Sequence, residues 1–258
     1  MRWPVSHNPR RIERHAARLG PWYTQFAVDG RTYGGAVCFD EDWRIAQFES
    51  AFPAARTILE PGSCEGGQSF VLARRPSLHI VALEGRRANI ARARYAQRLL
   101  GVANVRFIHV DLEATRLRAF GRFDAVLCSG LLYHLPRPWE LLDQLREVSD
   151  NVYIWTHYAA EDRVETVIEG MPGHWYSELG IADPLSGLSP RSFWVTRDAL
   201  VERLHRGGFD RVEIIQDDRS GHPNGPCVSV AARAATARPA TEAGAAPAAR
   251  PASAPRTG

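Results

Sequence analysis

The chain has 258 residues and a mass of 28.7 kDa, 45% of it hydrophobic and 24% charged. That is enough for one sizeable core, and it excludes a collagen, a coiled coil and a wholly disordered chain. The 32 basic residues are all Arg and face 29 acidic ones, for a net charge of +3. Residues 1–230 carry equal numbers of each sign, so a strongly basic nucleic-acid face is not expected. No apolar run approaches the ~20 residues a membrane span needs, and the Arg-rich start MRWPVSHNPRRIERHAARLG lacks the apolar stretch of a secretory signal. Cys38, Cys64, Cys128 and Cys227 lie far apart, which fits a reducing compartment, and the expected location is cytoplasmic.

Residues 1–54 are expected to form an N-terminal helical cap, with Phe39–Ala51 as its best helix. From residue 55 a regular alternation begins. Arg56–Glu60 (RTILE) is an apolar run closed by Pro61-Gly62, and helical spacing follows over Gly67–Arg75. Leu78–Leu83 (LHIVAL) predicts a second strand and Arg87–Leu100 a helix. Val105–Val110 and Phe123–Cys128 predict the third and fourth strands, Pro138–Val148 a helix, and Asn151–Thr156 the fifth strand. Strands and helices alternating at this spacing predict a doubly wound, mostly parallel sheet of Rossmann-like α/β class, with ligands at the carboxyl ends of its strands.

The rhythm breaks after the fifth strand. Residues 158–195 are rich in Trp, Tyr, Gly, Pro and Ser and read as a long inserted loop, a lid with one helical piece at most. A helix resumes at Thr196–Gly207, and Val212–Gln216 with Pro226–Ala231 read as a closing antiparallel pair that brings the sheet to seven strands. The alternating unit thus spans residues 55–232. Residues 233–258, mainly Ala, Pro, Arg, Thr and Gly, offer nothing to offset the entropy of ordering and read as a disordered tail.

The most informative stretch is ILEPGSCEGG, residues 58–67. A strand ends in Glu60, and Gly62, Gly66 and Gly67 open a helix whose free N–H groups suit an anion. A dinucleotide loop would put glycines at 62, 64 and 67, but residue 64 is Cys. The acid two residues before Gly62 resembles instead the E/D-x-G-x-G-x-G signature of class I S-adenosylmethionine-dependent methyltransferases, with Cys64 in place of the middle glycine. Glu84 at the end of the second strand, Asp111-Leu112 at the end of the third, and Gly130-Leu131-Leu132-Tyr133-His134-Leu135 after the fourth fall where that family predicts them. The last resembles a G-x-L-Y-H-L subgroup that includes tRNA wobble-uridine enzymes and small-molecule methyltransferases.

The resemblance implies S-adenosylmethionine as cofactor. Glu60, Gly62, Ser63, Cys64 and Gly66 would form its loop, Glu84 and Gly85 would meet the ribose, Asp111 and Leu112 the adenine, and Ser129–Gly130 the methionine end. His134 and His157 stand at the carboxyl edge as candidate general bases, since imidazole is the usual base near neutrality. Tyr133, Trp155, Tyr158, His174, Trp175 and Tyr176 are the candidate acceptor-binding residues. A metal site joining His174, His222, Asp217 and Asp218 lacks compact spacing, and none is expected. The near-zero charge favours a small, aromatic or polyketide-like acceptor and O-methylation, with nucleic acid disfavoured. A tRNA substrate and a noncatalytic cofactor-binding protein are the alternatives. The oligomeric state stays open, a homodimer being one option.

Overall fold

The computed structural model of the protein describes residues 8–180, 183, 185–220 and 222–235. Of the tail expected over residues 233–258, residues 236–258 lie outside them, and Arg233 ends the last strand instead. The chain opens with α1 (Pro9–Leu19), capped by the Asn8 side chain accepting from the Arg10 N–H. Next come β1 (Gln25–Val28) and β2 (Arg31–Gly34), then α2 (Trp43–Ala51), capped by Asp42. The expected all-helical cap is therefore corrected, because a β-hairpin sits between the two helices. Its turn is Asp29-Gly30, with φ of 50° and 74° at the two positions. An Asp-Gly pair takes that mirror-image turn readily, and its twist matches that of the flanking strands.

The sheet begins with β3 (Thr57–Pro61) and continues through α3 (Gly67–Leu72), β4 (His79–Glu84), α4 (Arg87–Leu100), β5 (Val105–His109), β6 (Ala125–Ser129), α5 (Pro138–Val148) and β7 (Asn151–His157). An insertion carrying β8 (Thr166–Ile168), β9 (Met171–Ser177) and β10 (Arg191–Val195) follows. The chain then closes with α6 (Arg197–Arg206), β11 (Arg211–Asp218) and β12 (Cys227–Arg233). The seven-stranded order is β11-β12-β7-β6-β3-β4-β5, with β12 antiparallel to β7 and to β11, and β3 to β7 mutually parallel. The order reverses between β3 and β6, which opens a crevice at their carboxyl ends.

The parallel strands are near-continuous apolar runs because helices cover both faces. Leu59, Val126, Cys128, Val152 and Ile154 pack with α5 and α6 on one side, while Ile58, Ile80, Ala125, Leu127 and Tyr153 pack with α2 and α4 on the other. Inside the insertion the expected loop is corrected to a three-stranded antiparallel sheet, β10-β9-β8. Its first hairpin turns at Glu169-Gly170, both at positive φ. None of the described helices is long and apolar enough to cross a membrane.

The N-terminal segment is fastened to the sheet by one acid. Glu65, 1% exposed, accepts from the backbone N–H groups of Tyr23 (3.0 Å) and Thr24 (2.7 Å) and pairs with buried Arg92 at 3.2 Å. Glu65→Ala would leave the Arg92 guanidinium buried without its counter-ion, and the expected loss is about 3–5 kcal/mol of unfolding free energy, read by urea denaturation.

Candidate active site

At the switch point lies a cavity of about 480 Å³, running across the carboxyl ends of β5, β4, β3, β6 and β7 in that order. The loop from β3 to α3 forms its floor. Gly62 (φ 78°) and Cys64 (φ 51°) both take the left-handed conformation there. The N–H groups of Gly62 and Ser63 both donate to the Leu83 carbonyl at 2.9 Å, and that of Cys64 donates to the Glu84 carboxylate at 2.9 Å. A cysteine thus holds the position where the signature carries glycine, its sulfur within 3.7 Å of the Asn89 amide nitrogen. Burial, then the neighbouring Glu84 and Glu65 charges, push its thiol up to about 12, so it is a packing group and not a nucleophile.

Glu84 accepts a second backbone N–H, from Arg86 at 2.7 Å. Burial raises its carboxyl, and the two N–H bonds and the Arg86 charge oppose that rise. Gly85, Asp111 and Leu112 line the same end of the cavity, and Asp111 accepts from the Glu113 N–H at 2.9 Å. In the middle, Ser129 and Gly130 end β6. The Gln68 amide donates to Ser129 Oγ (3.1 Å) and to Asp42 (2.8 Å), and Asp42 grips the Arg44 guanidinium through two bonds of 2.8 and 2.7 Å. Arg44 lies 4.8 Å over the Trp155 ring. Asp42 holds its carboxyl below the usual range although burial works the other way, because the bond and charge of Arg44 and the Gln68 bond outweigh it.

The far end is aromatic. Tyr133 meets His157 edge-on at 4.7 Å, and Trp194 is stacked between His157 (5.3 Å) and Tyr176 (4.7 Å). His157 Nδ1 lies 3.2 Å from the Pro226 carbonyl, which can only accept, so Nδ1 carries the proton and Nε2 keeps its lone pair. That Nε2 is buried with no partner among the described residues. Burial holds the imidazole below its ordinary value and the nearby His222 adds to this, so the ring is neutral. His134 is placed differently. Its Nδ1 is 2.9 Å from Glu178 Oε1, a buried carboxylate at the end of β9.

Five expected site residues stand off the cavity. Glu60 shares the Ile58 face of β3 and turns beneath the loop, where the Ser69 hydroxyl donates to it. At Gly66 an added Cβ would come within 2.6 Å of the Phe107 ring, so that glycine serves packing against β5. Tyr158 points away from His157 and donates to Asp217 at 2.7 Å. His174 packs against Trp194 on its outer side, and Trp175, one residue on in β9, turns to Phe193 and to Arg191, whose guanidinium lies 4.0 Å from the ring. In the cap, Tyr23 lines the cavity, whereas Trp22 packs on Phe26 and Tyr95. Asp42, Arg44, Gln68, Trp194 and Asn224 were not foreseen. Among the described residues no three His, Cys, Asp or Glu side chains are grouped as a metal would require.

A family profile described as a methyltransferase domain matches residues 54–176. The crystal structure of the N-terminal domain of EvdMO1 in the presence of SAH and D-fucose is 35% identical, covers 90% of this chain and is itself covered completely, with a TM-score of 0.79. The chain belongs to the S-adenosylmethionine-dependent methyltransferases. S-Adenosylmethionine is accordingly the cofactor of this methyltransferase. A tRNA U34 carboxymethyltransferase of Cronobacter sakazakii is 26% identical over 191 residues, and the methyltransferase spans only 55% of that relative's length. The 1,6-didemethyltoxoflavin-N1-methyltransferase of Burkholderia thailandensis, at 18% identity and a TM-score of 0.52, shares the fold.

The misplaced Glu60 carries a pH signature. Burial pushes its carboxyl up to about 8, offset only in part by Ser69, whereas its ordinary value is 4.5. Below about pH 4.5 both folded and unfolded forms are protonated, and the folded state's preference is fully present. Between there and about pH 8 the unfolded carboxyl ionises and the folded one does not, so stability falls as pH rises. Glu60→Gln is expected to flatten that slope and to raise the melting temperature at pH 8 relative to the unaltered protein, as thermal melts from pH 5 to 8 would read.

Proposed function

We propose that the enzyme transfers a methyl group to a hydroxyl of a small, uncharged ring compound, with His134 taking the hydroxyl proton. The observation that carries this reading is the aromatic end of the cavity, where Tyr133, Trp155, His157, Tyr176 and Trp194 gather and the nearby charged groups already have partners, Arg44 the Asp42 carboxylate and Glu178 the donors of His134, Gly187 and Ser192. Such walls suit the flat faces of an aromatic or polyketide-like ring or of a sugar. D-fucose, present with the EvdMO1 domain, supports including sugars.

The residues at the other end fit the cofactor. Each Glu84 oxygen accepts one backbone N–H and keeps capacity for a ribose hydroxyl. Asp111 would receive the adenine amino group beside Leu112; Gly62, Ser63, Cys64 and Gly85 would border the ribose and methionine chain; and Ser129–Gly130 would meet the methionine end. When bound, the cofactor supplies an electrophilic methyl carbon on a sulfonium. Tyr133, Trp155 and Trp194 would position the acceptor hydroxyl toward the methionine end of the site and keep water out. His134 Nε2 accepts the proton of that oxygen. His157, neutral and with no carboxylate to stabilise an imidazolium, acts as a hydrogen-bond acceptor that orients the acceptor.

The tRNA relative favours a second reading, a nucleic-acid acceptor. Release of SAH from S-adenosylmethionine, measured with hydroxylated aromatics, sugars and bulk tRNA in parallel, decides between them, and turnover confined to tRNA would overturn the small-molecule reading. Glu84→Ala is expected to weaken S-adenosylmethionine binding by about 1–3 kcal/mol in a calorimetric titration. His134→Ala is expected to lower kcat by about 10²–10⁴ while leaving cofactor affinity in place.

A further inference from the structure

We infer that Glu178 is a positioning residue for methyl transfer, delivered by the insertion to His134 so that Nδ1 carries the ring proton and Nε2 is free to accept another. The inference rests on the reading of His134 as the proton acceptor. Glu178 is 2% exposed at its side chain, and all three of its partners are donors: His134 Nδ1–H at 2.9 Å, the Gly187 N–H at 3.0 Å and the Ser192 hydroxyl at 2.9 Å. Burial raises its carboxyl, but the bonds from His134, Gly187 and Ser192 bring it below the ordinary value. The group is therefore an anion, and an anion cannot donate to Nδ1. A carboxylate in this place fixes the imidazole's tautomer and balances the positive ring formed when Nε2 takes a proton.

A residue that merely fastened the insertion would have no need to face an imidazole lining the cavity. The fastening is already supplied elsewhere. The Arg86 guanidinium donates to the carbonyls of Gly180 (2.8 Å), Ser186 (2.9 Å) and Gly187 (3.2 Å), holding the β9–β10 connection against the β4 end. Ser189 donates to Glu113 at 3.1 Å, and Leu188 lies so close to Gly85 that an added Cβ would sit 2.6 Å away. The connection thus docks on the residues flanking Glu84, and in that docked state Gly187 and Ser192 orient Glu178. The titratable groups around His134 are Glu178 from β9, Tyr133 beside it in the chain, with rings 4.1 Å apart, and His157 from β7. Burial keeps the Tyr133 phenol protonated and His157 neutral, which leaves Glu178 as the charge that acts.

The test is long-range proton–nitrogen NMR of histidine-labelled protein loaded with SAH, the His134 signals being assigned by their loss in His134→Gln. The expected spectrum of the unaltered protein shows a neutral His134 ring protonated at Nδ1. In Glu178→Gln the ring is expected either to move its proton to Nε2 or to titrate at least about one pH unit lower, a tenfold loss of proton affinity. Glu178→Asp, which keeps the charge, is expected to restore the Nδ1–H form, and thermal melts confirm that the variants are folded. An unchanged tautomer and titration in a folded Glu178→Gln protein would overturn the inference, as would a ring protonated at Nε2 in the unaltered protein. Full turnover by His134→Ala would instead overturn the reading of the base, a separate outcome.

Discussion

The site depends on the acceptors at the end of β4. The Leu83 carbonyl takes two loop N–H groups and the Glu84 carboxylate takes a third, so three consecutive residues, Gly62 to Cys64, are tied to the neighbouring strand before any ligand arrives. A loop left to itself would turn those donors toward water. Held this way, it follows left-handed backbone at Gly62 and Cys64 and leaves the crevice between β3 and β6 open. Cys64 endures that conformation because its N–H has a carboxylate partner and its sulfur a half-buried place beside Asn89. The strain at a non-glycine residue, of order 1–3 kcal/mol, is borne by a loop fixed from both sides.

From that fixed floor the remaining parts are arranged by chain topology. Glu65, the residue after Cys64, turns away from the cavity and fastens the N-terminal hairpin, bringing Tyr23 and Phe39 to the cavity wall. Gln68, in the first turn of α3, joins Asp42 of the cap to Ser129 of β6. Arg86, two residues beyond Glu84, holds the insertion. The cap, the β6 loop and the insertion are independent in sequence, yet each is anchored within a few residues of the β3–α3 loop or the β4 end. The cavity is closed over by segments fastened at its floor.

The parallel strands were legible because each is a short apolar run bounded by turn residues, buried on both faces. The glycine loop, Glu84 and Asp111 were legible because their spacing follows from strand and loop lengths. The hairpins were not. Gln25–Val28 and Arg31–Gly34 are four residues each, and Met171–Ser177 contains Pro and Gly, so neither shows an apolar stripe. Only the turns, Asp29-Gly30 and Glu169-Gly170, announce them. Glu60, Tyr158 and Trp175 are misplaced for one reason, which is the pleat. Glu60 follows Ile58 to the α2–α3 side, Tyr158 opposes His157, and Trp175 opposes His174 and Tyr176. Adjacency in sequence brings residues to one strand end but sends alternate ones to opposite faces.

The two histidines show what lies beyond sequence altogether. Both stand at the carboxyl edge of the parallel strands, His157 as the last residue of β7 and His134 in the loop after β6, and both line the cavity. Their chemistry is separated by the second ring nitrogen: His157 gives its proton to a carbonyl, and His134 gives its proton to a carboxylate. A carbonyl fixes a tautomer without stabilising added charge, so His157 stays neutral in its aromatic stack. A carboxylate does both, which is what the role proposed for His134 requires. Glu178 lies 44 residues from His134, across an insertion with its own sheet. The division of labour proposed for these two similar side chains therefore rests on where β9 ends, a fact fixed by the register of β9 against β10, in which Ser177 opposes Arg191 and Glu178 falls just beyond, beside Ser192.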